Sequence, residues 1–434
     1  MPDRRPAMNK VSSRNAWAES LARDPGRAFD LVFVVFIAAA LVLRPTPVWA
    51  AVFYGVLVPL FAWSLWARSR SVPATREVWL IGALLAYFAT SILWSETASA
   101  TREIKYLRAV ITNGIFIAAA VAFFSRATEA TIDRFEKALL AAAALNVAIS
   151  FAIYFADFDP HRRLTGWAET RHSILGAYVI NVCLAVTLDR IRRAQHLDWP
   201  LIGLAAAFAA FVVLTRSRAA IAVTFGLFAI AALCLPRQRV MALLVLPALL
   251  AIAALGAMAA DADWFLREML ARADSYRLMI WEITWDAVQS RPLFGYGLAA
   301  EFPLPEPFSQ PHNLYLAALY YGGIVGAVLL LALWVSLAAR TTTGVRPPDR
   351  MLMLCLLVHI VVSGMSDLAQ VFKSPSEQWL IIWLPVAMII GCAGRTAGTA
   401  KPGADGMRSI PVPPRTPGDM CAEKTQLRRI GHRL

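Results

Sequence analysis

Apolar residues in this chain fall in long, nearly unbroken runs, without the period-two alternation of half-buried strands or the one-sided stripe of surface helices. The runs cover residues 31–43, 48–65, 78–93, 109–124, 138–155, 174–188, 201–214, 219–235, 240–260, 314–337, 351–362 and 379–392. Roughly 20 helical residues cross a hydrocarbon core, so the pattern predicts an all-α, polytopic membrane helical bundle with about twelve spans. The organisation that follows is a basic tail over 1–28, a membrane domain over 29–394 and a second basic tail over 395–434. The longest polar interruption, 260–311, is read as one larger loop carrying amphipathic helices.

Two stretches of that loop have their own pattern. Trp264, Phe265, Met269 and Leu270 around Arg267 and Arg272 predict an interfacial amphipathic helix. After Ala273, Leu278, Trp281, Trp285 and Val288 recur at helical spacing and predict a helix with one apolar face. Pro292 stops it, and Gly295 and Gly297 allow a tight turn. Pro303, Pro305 and Pro307 then hold an extended segment, and Pro311 precedes His312 and Asn313 at the mouth of a long apolar helix.

Composition agrees with the pattern: 58% of the 434 residues are hydrophobic and only 16% are charged, too little charge to coat a soluble protein of this size. The net charge of +13 would suggest nucleic acid in a soluble chain. Here the positive-inside rule accounts for much of it and no nucleic-acid role is expected. Arg4, Arg5, Lys10, Arg14, Arg23 and Arg27 precede the first span; Arg68, Arg70, Arg76, Arg126, Arg134, Lys137, Arg190, Arg192, Arg193, Arg237, Arg239, Arg340, Arg346 and Arg350 follow on the same side. Both termini are thus expected in the cytoplasm. The first 28 residues are polar, unlike a cleaved signal peptide, so the first span is read as an uncleaved anchor. The C-terminal tail, rich in Pro, Gly and basic residues, has the composition of a disordered segment. Of the five cysteines, Cys183, Cys234, Cys355 and Cys392 lie in or beside spans, and none, Cys421 included, has a metal-ligand spacing.

The opposite side breaks the charge rule. Its loops hold Arg162, Arg163 and Arg171; Arg216 and Arg218; and Arg267, Arg272, Arg277 and Arg291. A guanidinium offers a fixed fork of donors suited to phosphate oxygens, so an anionic ligand at this interface is expected. Most interfacial arginines simply anchor to lipid headgroups, but Arg218 opens a continuous apolar run, where a charge is costly. His312 sits among these arginines, where an imidazole can exchange a proton with a hydroxyl. Trp167, Trp281, Tyr296 and Tyr315 are candidates to stack on a ring, although belts of aromatic residues line many membrane interfaces.

Taken in order, these segments resemble the O-antigen ligase and O-antigen polymerase superfamily. RLTGWAETRHSILGA, from Arg163 to Ala177, resembles its Arg-x-x-Gly motif; SRAAIAV, from Ser217, its Ser-Arg helix start. R-x-x-x-W from Arg277, then PLFGYG, then PHNLYLAALYYGGIVG complete the set. The first motif departs from the family's usual Asn-Pro-Asn or His-Pro-Asn, having Thr170, Arg171 and His172 instead. The resemblance implies a GT-C-like glycosyltransferase of a bacterial inner membrane, working at the periplasmic face without metal or other cofactor. Its donor would be an undecaprenyl-pyrophosphate-linked glycan and its acceptor lipid A–core or a growing glycan. It implies Arg163 and Arg218 on the pyrophosphate with Arg277 as a third cation, His312 on the acceptor hydroxyl and Asn313 supporting it, and Trp281 and Tyr296 on sugar. A polymerase extending O-antigen or exopolysaccharide shares these motifs. A transporter or flippase would show internal repeats and charges within spans; the sequence has no second copy of either motif, and its charges collect at the ends of the runs.

Overall fold

In the computed structural model the described residues are 24–44, 46–96, 98–159, 161–241, 243, 276–305, 308–343 and 349–399. Tail residues 1–23 and 400–434, the run at 240–260 beyond its first residues, and the proposed interfacial helix around Arg267 and Arg272 lie outside them. The described residues up to 396 belong to one compact unit. Among the described residues the elements are helices α1 (Pro25–Val42), α2 (Thr46–Trp66), α3 (Arg76–Ser91), α4 (Ala100–Arg126), α5 (Glu129–Ala156), α6 (Ser173–Arg193), α7 (Trp199–Leu214) and α8 (Arg218–Cys234). Helices α9 (Arg277–Ser290), α10 (Leu314–Thr343), α11 (Arg350–Gly364) and α12 (Trp379–Cys392) follow. Seven of the described helices are long and apolar enough to cross a membrane: α1 to α6, with α3 extended to Trp94, and α10. The helices α7, α8, α11 and α12 are apolar but shorter.

Helix starts follow the local sequence. Asp24, Thr75, Ser99, Thr128, His172, Asp198 and Ser217 each accept a main-chain amide of the first turn, satisfying donors that the helix itself leaves open. The main packing partners are α1 with α5, α6 with α7, α3 with α10, and α8 with α11. Helix α6 lies deepest, its apolar side chains enclosed all round. At the aromatic centre Trp379 stacks on Phe116 at 4.4 Å and meets Phe53 edge-on at 4.8 Å. Trp379 and Phe53 each open a π-helical turn, Trp379–Trp383 and Phe53–Leu57.

The two ends of the bundle differ. At one end the basic residues are tied down. Arg190 and Arg193 bind Glu136 at 2.9 and 2.6 Å, and Arg340 binds Glu77 at 2.7 Å. Arg70 pairs with Asp30, and Arg239 donates to the carbonyls of Ile191, Arg192 and Ala194. The other end carries the motifs.

There α9 packs through Ile280, Thr284 and Val288, whereas Leu278 and Trp285 point away from the bundle. The apolar face read from spacing is therefore rotated: the helix has apolar residues on two sides, and spacing alone did not choose between them. The loop after α9 docks on a break in α10 at Gly323, whose φ is 59° and ψ −163°. In an unbroken helix Ile324 and Val325 would donate to Tyr320 and Tyr321. Instead their amides reach the carbonyls of Pro292 and Leu293, at 2.8 and 3.3 Å. The freed carbonyls of Tyr320 and Tyr321 accept from Tyr296 and Gly297, each at 2.9 Å. A Cβ on Gly323 would stand 2.3 Å from the Leu293 carbonyl oxygen.

Candidate functional site

The loop from α5 to α6 is shaped by one buried amide. Asn146 Nδ2 donates to the carbonyls of Leu41 and Trp167, and its Oδ1 accepts from Thr170. Gly166 closes the turn by donating to the Thr170 carbonyl; a Cβ there would lie 2.0 Å from Thr170 Oγ1. That explains the glycine of the Arg-x-x-Gly motif. Its arginine, Arg163, is half-buried and donates from Nε to the Thr215 carbonyl at 2.8 Å. Arg163 thus joins this loop to the turn that ends in Ser217, the cap of α8, and Arg218. The first two sequence motifs are one structural unit.

Beyond the turn, Glu169, Arg171 and His172 line a pocket of about 350 Å³ together with Gln310, His312 and Asp367. Leu175, Leu368, Ala369, Gln370, Lys373, Glu377 and Gln378 complete its wall, which among the described residues has no Phe, Tyr or Trp. His312 lies just before α10 with φ of 49°, and Asp367 follows α11 with φ of 64°. The Asp367 amide donates to the His312 carbonyl at 2.9 Å, and the two side chains face each other, His312 Nδ1 to Asp367 Oδ1, at 3.9 Å. On its other side Asp367 accepts from Arg277 Nη2 at 2.5 Å, while Arg277 Nη1 donates to Ser366 Oγ at 3.0 Å. Three segments far apart in sequence therefore meet on one carboxylate.

Two groups in the wall have displaced acidities. Burial raises the pKa of the Glu169 carboxyl, against the pull of its hydrogen bond from Thr46. Desolvation lowers the pKa of His172, against the carboxylates of Asp367 and Glu377, with Arg163 and Lys373 acting the same way as desolvation. Among the described residues no group of three or more His, Cys, Asp or Glu is arranged to hold a metal ion.

Of the residues read from sequence, the structure brings His312 and Arg277 together through Asp367. Arg163 lies in the loop that supplies one wall of this pocket but outside the lining, on the Thr215 carbonyl, and Arg218 stands exposed at the head of α8, also outside the lining. Asn313 caps α10: its Oδ1 accepts from Tyr315 and Leu316, and its Nδ2 reaches the Met365 carbonyl at 3.3 Å. The Tyr296 ring stacks on Tyr320 at 4.8 Å and its hydroxyl donates to the Ala287 carbonyl, while Trp281 packs on the core; neither lines the pocket. Asp367, Glu169 and Lys373 were missed. Each stands in a polar loop between apolar segments with other charged residues about it, and the only hint was that Arg277 and His312 needed an anion among them.

Residues 202–331 match a family model described as O-Antigen ligase. A curated O-antigen ligase of Pseudomonas aeruginosa is 27% identical over 318 residues, covering 71% of this chain and 75% of the relative. Both matches bear out the resemblance read from the motifs, and the chain is identified as a multi-pass membrane protein similar to the O-antigen ligase family, over a segment that holds Arg218, Arg277 and His312.

Proposed function

We propose that this protein transfers a glycan from an undecaprenyl-pyrophosphate carrier to an acceptor hydroxyl, at the end of the bundle where His312 and Asp367 meet. In this reading that end faces the periplasm and both tails lie in the cytoplasm of a bacterium, with lipid A–core as acceptor. The observation that carries it is the meeting of His312, Asp367 and Arg277 at the edge of one polar pocket, with Arg163 in the loop that supplies one wall. The acceptor oxygen attacks the anomeric carbon of the first sugar, the bond from that carbon to the pyrophosphate oxygen breaks, and the electron pair leaves with the pyrophosphate. His312 takes the acceptor's proton on Nε2, since Nδ1 is the atom turned to Asp367. The carboxylate fixes the ring and stabilises the imidazolium that forms, the role of the third member in a Ser-His-Asp triad. Arg163 and Arg218 answer the charge developing on the leaving group, where preorganised cations are most effective. Arg277, occupied by Asp367, holds that carboxylate in place and serves the substrate indirectly.

The test is a deletion strain complemented with wild-type protein or His312→Ala, with surface glycan sized on a gel. Loss of long chains in the deletion and in the variant, at equal protein in the membrane, is expected. Bare core with free lipid-linked glycan marks a ligase, and core bearing a single repeat marks a polymerase of the same chemistry. Unchanged glycan in the deletion strain sinks the whole reading; normal glycan with His312→Ala sinks the role of that residue.

A further inference from the structure

One wall of the pocket has no part in the proton-transfer scheme. Glu169 is 3% exposed, yet among the described residues its one hydrogen bond comes from Thr46 Oγ1 to Oε1, at 2.6 Å. An ionised carboxylate has about four acceptor positions, and burying it with most of them unused is unfavourable. The fold nonetheless enforces this placement: Asn146 clamps the turn, and Ala168, just before the glutamate, is held at φ of 50°. Two residues on, Arg171 lines the same pocket and makes no ion pair among the described residues. Elsewhere in the wall the charges are matched, Lys373 with Glu377 at 3.0 Å and Asp367 with Arg277. Glu169 and Arg171 are left as an acceptor and a donor of opposite charge facing one small cavity beside His312.

We infer that Glu169 and Arg171 form a saccharide subsite that grips the pyrophosphate-linked sugar of the donor through its hydroxyl groups, and that this sugar is uncharged. The inference rests on the transfer reading above and deepens it. A buried carboxylate accepts from one or two hydroxyls, and the guanidinium donates to hydroxyl or ring oxygens. With no Phe, Tyr or Trp among the described lining residues, recognition depends on these polar groups. Glu169 is the buried charge of this pair and Arg171 the exposed one, so a sugar carboxylate entering here would meet a desolvated carboxylate, offset by a guanidinium that solvent screens. Arg163 stands in the same α5–α6 loop, outside the lining, with its guanidinium on the Thr215 carbonyl. The subsite thus shares a loop with a cation assigned to the pyrophosphate, on the donor's side of the reaction.

The experiment uses the full chain in detergent and measures binding of two lipids. One is the glycan-bearing lipid extracted from a strain lacking the protein; the other is undecaprenyl pyrophosphate without sugar. Glu169→Gln keeps an oxygen to accept from Thr46 and removes the charge. It is expected to weaken binding of the glycan lipid about tenfold, the loss of one charge-assisted hydrogen bond, and to leave the sugar-free lipid unchanged. Wild-type protein is expected to prefer undecaprenyl-pyrophosphoryl glucose to the glucuronate analogue, and Glu169→Gln to narrow that preference. Equal losses for both lipids, or none, overturn the subsite; equal binding of glucose and glucuronate lipids overturns the uncharged sugar. Should wild-type protein bind neither extracted nor sugar-free lipid, the transfer reading itself has failed. Should it bind and consume the donor with Glu169→Gln unaltered, only the subsite has.

Discussion

Replacing Asp367 by Asn removes one negative charge from between His312 and Arg277 and leaves the side chain's shape nearly intact. Two unit charges about 4 Å apart near a protein surface interact by about 4 kcal/mol at an effective dielectric of about 20. The carboxylate lies 3.9 Å from His312 Nδ1, with the side chains 11% and 31% exposed. Solvent screening at that exposure removes roughly half, leaving about 2 kcal/mol of attraction between Asp367 and the positive charge that develops on the ring as the acceptor's proton is transferred. A tenfold change in rate corresponds to about 1.4 kcal/mol, and Asp367→Asn is expected to slow transfer about 30-fold with little change in KM for the donor. The assay is single-turnover transfer from extracted lipid-linked glycan by purified protein, with monodispersity in detergent checked for each variant. A double-mutant cycle sharpens it: if the carboxylate works through the imidazole, Asp367→Asn costs almost nothing in a His312→Ala background. A wild-type rate for Asp367→Asn, or full additivity with His312→Ala, refutes the reasoning.

Three further outcomes are expected. Arg218→Lys fails to restore glycan in a deletion strain although the protein accumulates, since a point charge does not reproduce a bidentate fork; full complementation argues against a phosphate contact. Gly323→Ala lowers stability by at least about 1–3 kcal/mol, the cost of a conformation that only glycine adopts easily, with the contact to Leu293 adding to it; an unchanged melting temperature contradicts the docked loop. Glu169→Gln melts higher than wild type at neutral pH. Burial raises the carboxyl pKa in the folded state, so the folded protein holds that proton more tightly than the unfolded chain. The penalty is fully present above the folded pKa and is relieved as pH falls through it. A gap between the two proteins that does not shrink towards acid pH rules this out.

Much of the bundle was legible because a span has to be apolar along its whole length, a requirement that leaves little ambiguity. The run at 314–337 corresponds to α10 (Leu314–Thr343), and the extra turns are the polar end that hydropathy trims. The motifs were legible as an ordered series, but their partners were not. Arg163 and Ser217 are 54 positions apart in numbering and belong to one loop pair through Thr215, a contact between loops that carry no shared periodicity. The break at Gly323 was hidden because glycine pairs are common in membrane helices. Only the docking of residues 292–297 shows that this pair ends one helical segment and begins another. Asp367 was hidden for a different reason: an acid in a short polar loop between two apolar stretches looks like part of a solvated turn until the residues it faces are known.

The splint at Gly323 limits how this end of the molecule can move. Four main-chain bonds join the segment after α9 to the interior of a long apolar helix. Peeling that segment away would strand both sets of amides and carbonyls where water is scarce, at about 1–3 kcal/mol for each group left unmet. The same chain continues to His312 and returns through α9 to Arg277, so the reactive corner is fastened to the scaffold on both flanks. If the proposed transfer holds, lipid exchange proceeds by sideways passage between helices or by motion of the α5–α6 loop, with the strapped segment serving as the fixed jaw.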